Sequence, residues 1–248
     1  MKSYINELKK YDHFSEEEQL ELIRKHPSNV RHIFNPSEKI QLEVIKKDAF
    51  SIKYIEDPCE KVKMEAIRKD PRSICFIKKP TEKDKIYAVR NRGDLLSVIE
   101  NPSENVQIEA IREYPLAIYY IEDPSEKVQL EAVRSEKSNQ EPVIKHIENP
   151  FLSVQLEAVK KNIKSIFYIK DPDPEVAFYC VANDPELLKI KEELDPIYQR
   201  LPENYFQHLS LEVQKMLVEY DVSFTLIIPN LHPSLKTRLS NTRNMGVF

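Results

Sequence analysis

Prolines divide this chain at a near-constant interval: Pro36, Pro58, Pro80, Pro102 and Pro124 follow one another every 22 residues, Pro150 comes 26 later and Pro172 another 22. A fixed period of this length predicts stacked supersecondary units, because one such unit cannot bury its own apolar face. Written out, the units read Asn35-Pro36-Ser37-Glu38-Lys39-Ile40-Gln41-Leu42-Glu43-Val44-Ile45, Asn101-Pro102-Ser103-Glu104-Asn105-Val106-Gln107-Ile108-Glu109-Ala110-Ile111 and Asp123-Pro124-Ser125-Glu126-Lys127-Val128-Gln129-Leu130-Glu131-Ala132-Val133. An earlier copy starts at Phe14-Ser15-Glu16, its proline replaced.

Asn or Asp, then Pro, Ser and Glu, is an order that opens a helix. It predicts an Asn or Asp N-cap, proline at the first helical position and glutamate closing a capping box at the third. The helix should run about eleven residues, from apolar spacing alone, and stop near Lys47-Asp48, Lys69-Asp70 or Lys161-Asn162. Several units restart at a second capped proline, Asp70-Pro71, Tyr114-Pro115 or Asp184-Pro185. A shorter helical turn follows, as in Ser51-Ile52-Lys53-Tyr54-Ile55 or Ser165-Ile166-Phe167-Tyr168-Ile169. Helices below about 12 residues are marginal alone, so each must lean on its neighbours.

The expected fold is therefore all-α: an α-solenoid, or superhelix, of about nine to ten short two-helix repeats. Residues 1–13 form an N-terminal cap and 14–191 the array, with units starting near 14, 36, 58, 80, 102, 124, 150 and 172. Residues 192–248 read as degenerate repeats and a C-terminal cap, in which Leu209 to Leu217 and His232-Pro233-Ser234-Leu235 still echo the period. The array is interrupted by the polar insertion Ser135 to Pro142.

The last full unit, Asp171-Pro172-Asp173-Pro174-Glu175-Val176-Ala177-Phe178-Tyr179-Cys180-Val181-Ala182-Asn183-Asp184-Pro185, resembles the leucine-rich repeat variant family. Units of that family pair an α-helix with a short 3₁₀ or α segment. The Asn-Pro-Ser-Glu units also resemble a family of unassigned function found in bacteria, phages and large viruses. The likeness covers residues 14 to about 190 and implies architecture without activity. The iron–sulfur cysteine cluster of some members has no counterpart in Cys59, Cys75 and Cys180.

Composition narrows the function classes. Hydrophobic residues at 41% and charged residues at 31% describe a globular chain with no apolar run of the roughly 18 residues a membrane helix needs. Charges at the N-terminus stand where a secretory signal would place its apolar stretch, so the expected location is cytoplasmic. A net charge of −4 opposes dominance by phosphate contacts. Two glycines cannot build a phosphate cradle, and the six histidines lack metal-ligand spacing, so neither cofactor nor metal is expected.

Side-chain ladders follow the period on the longer helix. Gln19, Gln41, Gln107, Gln129 and Gln155 should point into the stack and satisfy turn carbonyls of the adjacent unit. Glu21, Glu43, Glu65, Glu109, Glu131 and Glu157 form one charged ladder and Arg24, Lys46, Arg68, Arg90, Arg112, Arg134 and Lys160 a second, three residues further on, which predicts i,i+3 ion pairs on a solvated face in preference to a basic stripe for phosphate or an acidic partner.

The shorter element supplies the candidate site. One of its positions varies from unit to unit, through Arg31, Lys53, Cys75, Ser97, Tyr119, Lys145 and Phe167. The next is mostly aromatic or histidine: His32, Tyr54, Phe76, Val98, Tyr120, His146 and Tyr168. If these short elements lie on the inner curve, Arg31, Lys53, Tyr54, Tyr119, Tyr120, Lys145, Phe167 and Tyr168 line a concave binding face; otherwise the aromatic column is inter-repeat packing. The expected partner is a protein or peptide held without catalysis, with phage–host conflict as a setting the resemblance implies. Nucleic acid is the alternative, extending to a helical-repeat DNA glycosylase acting on a modified base.

Overall fold

Why each repeat splits into a long and a short element is visible at its junctions. At the end of several α-helices the chain turns extended, as at Asp48 (φ −146°), and the side chain of Asp48, Asp70 or Asn162 then caps a new start by accepting from the amide two residues on. Pro27, Pro71 and Pro115 open such starts, where no N–H is needed. Buried residues in the short element recur every third position, as in Ala49, Ile52 and Ile55. That is the period of a 3₁₀ helix.

The computed structural model describes residues 10–137 and 141–184, together with 211, 214, 215, 218 and 231–235. Among them α-helices alternate with 3₁₀ turns, written η. The order is α1 (Glu16–Lys25), η1 (Pro27–His32), α2 (Glu38–Lys47), η2 (Ala49–Tyr54), α3 (Glu60–Lys69), η3 (Pro71–Phe76), α4 (Glu82–Asn91) and η4 (Gly93–Val98). There follow α5 (Glu104–Glu113), η5 (Pro115–Tyr120), α6 (Glu126–Ser135), η6 (Val143–His146), α7 (Leu152–Lys161), η7 (Ile163–Tyr168) and α8 (Pro174–Asn183). No strand occurs among the described residues. The chain is an α-solenoid of consecutive short helix pairs.

By compactness it divides into Met1–Ser135 and Glu136–Phe248. In the first segment each α-helix from α1 to α6 packs on the next, η1 lies on η2, η2 on η3 and η4 on η5. The core lies between the α layer and the η layer. Its spine is a column one repeat apart, Ile23, Ile45, Ile67, Val89, Ile111 and Val133, each fully buried. Burying one such side chain contributes about 1.5–3 kcal/mol, which no single ten-residue helix could collect. In the second segment η6 lies against η7, and α8 against α7 and η7.

Helix starts differ from the sequence expectation. At α2 and α5 the N-cap is Ser37 or Ser103, two residues beyond the Asn, so the proline precedes the helix instead of opening it; α1 and α4 are likewise capped by Ser15 and Thr81, whereas α8 has the expected Asp173 cap followed by Pro174. Capping boxes do form, through Glu18 and Asp84 at the third position. The displaced asparagines serve the turn before the helix. Asn35 and Asn101 adopt left-handed conformations, φ 50° and 45°, that asparagine tolerates better than most residues. Each α-helix is ten residues long, one fewer than expected.

The glutamines also work differently. Gln41, Gln107, Gln129 and Gln155 donate through Nε2 to the carbonyl of the proline in their own repeat, at 2.8, 3.2, 3.1 and 3.0 Å. The adjacent repeat is reached through the other atom: Gln155 Oε1 accepts from the amide of Asp173, the N-cap of α8, at 2.9 Å. Gln214 repeats this bond with the amide of His232 at 2.8 Å, at the same separation of 18 residues. The remainder of the expected C-terminal cap, and most of the insertion loop's tip, lie outside the described residues.

Candidate functional site

Because a 3₁₀ turn repeats every three residues, burying its first and fourth positions turns the fifth and sixth outward. Every site residue expected from the sequence occupies one of the last two places of an η element, which in the four-residue η6 puts Lys145 third. Arg31, Lys53, Tyr119, Tyr120, Lys145 and Tyr168 are exposed, and Tyr54 and Phe167 are half-buried.

In the first segment the structure draws three of them into one cluster. The Arg31 guanidinium lies 5.9 Å from the centroid of the Tyr54 ring, one repeat on. Lys53 Nζ lies 5.0 Å from the Tyr54 ring and 5.6 Å from that of Phe76 in the following repeat. Cations of one repeat therefore sit on rings of the next, at distances where the ring quadrupole attracts them. Arg31 Nε also bonds His32 Nε2 at 3.1 Å. Among the described residues no carboxylate stands within 4 Å of Arg31 or Lys53.

Two residues outside the expected set complete this cluster. Phe50 meets Phe76 edge-on at 5.8 Å, and Arg72 lies 5.3 Å over the Phe50 ring while its guanidinium holds Asp70 at 2.6 Å. A signal for them exists in the sequence, since Phe50 and Arg72 occupy the same place in successive 22-residue units. Further along, the character changes. Val98 is 52% exposed and Tyr119 74%, with Tyr120 edge-on to Tyr119 at 6.0 Å.

The second segment places its candidates otherwise. The Lys145 ammonium bonds Glu141 at 2.5 Å, an ion pair that raises its pKa and lowers that of Glu141. Tyr168 is exposed at the end of η7, and Phe167 beside it is partly covered. Of the eight expected residues, Arg31, Lys53 and Tyr54 thus form one cluster and Tyr119 with Tyr120 a second, both in the first segment.

In the first segment several bases of the α layer are matched by acids, while Lys160 of α7 lies 5.9 Å over the Tyr179 ring. Expected i,i+3 pairs occur, Glu43 with Lys46 at 3.8 Å and Glu109 with Arg112 at 3.1 Å. Shorter contacts cross between repeats, from a base to the glutamate 19 residues later: Arg90 to Glu109 at 2.6 Å and Arg112 to Glu131 at 2.8 Å. Hydrogen bonding from Arg90, with Arg112 beside it, holds the Glu109 carboxyl below the usual glutamate range. A parallel ladder runs along the helix starts: Glu16 accepts from Ser37 and Lys39, and Glu104 from Ser125 and Lys127. These bases are matched by acids of the same protein.

Among the described residues no group of three His, Cys, Asp or Glu side chains could hold a metal ion, and no helix is long and apolar enough to cross a membrane. Cys59 and Cys75 are exposed free thiols and Cys180 a buried one, whose burial pushes its pKa up to about 12. Neither a protein-family model, nor a curated protein, nor a solved structure matches this chain.

Proposed function

We propose that this protein is a binding module without catalytic activity, which engages a protein or peptide through the outward ends of its η turns. The observation that carries this reading is the contrast between the two layers. On the α layer Arg90 and Arg112 spend their charge on glutamates of the neighbouring repeat. On the η layer Arg31 and Lys53 stand on aromatic rings with no carboxylate within 4 Å among the described residues, at a position that varies from repeat to repeat. Aromatic residues and arginine are the side chains that most often dominate the energy of protein interfaces.

The same contrast disfavours nucleic acid as the partner. Tracking a phosphate backbone takes many unmatched cations in sequence, and Arg24, Lys46, Arg90 and Arg112 of the α layer already face glutamates. Exposed free thiols at Cys59 and Cys75 fit a reducing compartment, so we place the protein in the cytoplasm. The family likeness in the Asn-Pro-Ser-Glu units adds phage–host conflict as a setting.

The test is partner capture from native extract by the wild type and by a variant with Arg31, Lys53, Tyr119 and Tyr120 all changed to alanine. Loss of a stoichiometric partner by the variant supports the reading. Equal capture by a variant with unaltered circular dichroism removes the η layer from consideration.

A further inference from the structure

The η layer of the first segment is polarised along the chain, and its two ends suit different chemistry. Around η1 to η3 the exposed ends carry Arg31 and Lys53 on the rings of Tyr54 and Phe76. Around η4 and η5 the corresponding positions carry no cation: Ser97, Val98, Tyr119 and Tyr120. Val98, Tyr119 and Tyr120 are 52%, 74% and 44% exposed, a large apolar and aromatic outlay for a surface.

We infer that the partner is an extended peptide segment bearing a pair of acidic side chains at one end and an aliphatic or aromatic anchor at the other. The acids meet Arg31 and Lys53; the anchor meets Val98, Tyr119 and Tyr120. This deepens the binding reading above and rests on it.

Charge complementarity fixes the acidic end. A cation held over a ring is already partly fixed in place, so less side-chain entropy is lost when a carboxylate arrives. By contrast, the η6 lysine in the equivalent position, Lys145, is already occupied by Glu141, so it offers no such site. Arg31 and Lys53 are one repeat apart. Stacked helices stand roughly 8–10 Å from each other and an extended chain advances about 3.3 Å per residue, so one repeat corresponds to about three peptide residues. The matching acids should therefore lie about three residues apart. From Lys53 to Tyr119 is three repeats, which puts the anchor about nine residues from the nearer acid.

The spacing also separates this occupant from nucleic acid. A single strand places a charge on every nucleotide and would use every cation along its path. A peptide with two charges and one anchor needs only what the two clusters provide.

The experiment is selection of a displayed library of random 16-residue peptides on the full-length protein, followed by fluorescence anisotropy with the selected peptides and with an oligodeoxythymidine 20-mer. The expected consensus contains two Asp or Glu about three residues apart and a Phe, Tyr, Leu or Ile about nine residues away. Replacing both acids by their amides should weaken binding about ten-fold, and so should R31E/K53E in the protein. A peptide carrying lysines in place of the acids should restore binding to R31E/K53E and not to the wild type. Y119A/Y120A should weaken binding without changing its salt dependence.

Selected peptides that lack acids, yet lose binding to the quadruple alanine variant, would overturn this inference and leave the binding reading standing. Peptides that bind the quadruple variant as well as the wild type, or no selectable peptide at all, would overturn both. Oligodeoxythymidine binding that R31E/K53E abolishes would replace the peptide by nucleic acid.

Discussion

The amide of Gly93 donates to the carboxylate of Glu113 at 2.9 Å, tying the start of η4 to the end of α5 in the following repeat. The approach is so close that a Cβ on residue 93 would lie 2.4 Å from the carbonyl oxygen of Ala110 and 2.7 Å from Tyr114 Cβ. Other repeats tolerate Pro27, Ala49 or Pro71 in this place. This one requires glycine because backbone, not a movable side chain, stands opposite.

Gly93→Ala should therefore destabilise the fold by about 1–3 kcal/mol, the usual cost of forcing an extra carbon into a packed site. Thermal unfolding should show a Tm several degrees below wild type, since 1 kcal/mol shifts Tm by roughly 2–4 °C in chains of this size. An unchanged Tm would mean that the two repeats separate freely at this point.

Gln155 and Gln41 occupy the same place in the repeat but carry different loads. Gln155 serves both Pro150 O and the Asp173 amide, whereas Oε1 of Gln41 is buried without a hydrogen-bond partner among the described residues. Gln155→Leu, which strands a carbonyl and an amide, should cost about 1–3 kcal/mol in urea unfolding. Gln41→Leu strands one carbonyl and removes an unsatisfied oxygen, so its cost should be clearly smaller. Equal costs would show that the bond to Asp173 contributes nothing.

Glu109 supplies a pH-dependent term. Its carboxyl is held low by Arg90 and Arg112, so the charged form is stabilised more in the folded state than in the unfolded one. The contribution is complete above the ordinary glutamate range and disappears as pH falls through the lowered value in the folded protein. The Tm difference between wild type and Glu109→Gln should thus be small but measurable at pH 7, shrink below pH about 4 and shrink also in 1 M salt, where the Debye length is about 3 Å. A difference that persists in acid would assign the effect to packing.

The three cysteines should separate by reactivity. Cys59 and Cys75 are exposed, while Cys180 is buried with its thiol pKa pushed up to about 12. Thiolate is the reactive form, so iodoacetamide at pH 8 should modify two sites in the native protein and the third only after denaturation. Mass spectrometry of the native adduct would read this directly; rapid labelling of Cys180 would show that α8 opens readily.

Much of the candidate face was legible because the repeat turns sequence offset into spatial neighbourhood. Arg31 and Tyr54, or Lys53 and Phe76, are 23 residues apart and touch; Arg90 and Glu109, or Arg112 and Glu131, are 19 apart and bond. Phe50 and Arg72 obey the same rule, but their place beside the cap holds no constant residue type, so only the packed structure shows that they join the cluster. Lys145 shows the limit in the other direction. Its column position equals that of Lys53, yet the insertion before η6 supplies Glu141 and removes its availability.

The amino-acid order alone determines the period, the helix-pair architecture and the two outward columns, because burial every third or fourth residue and proline punctuation act within one repeat. The glycine demanded at position 93 and the choice between cations matched by acids and cations seated on rings arise from contacts between repeats. These depend on the distance and angle at which neighbours stack. Packing energy summed over both partners sets that geometry, and no single repeat contains it.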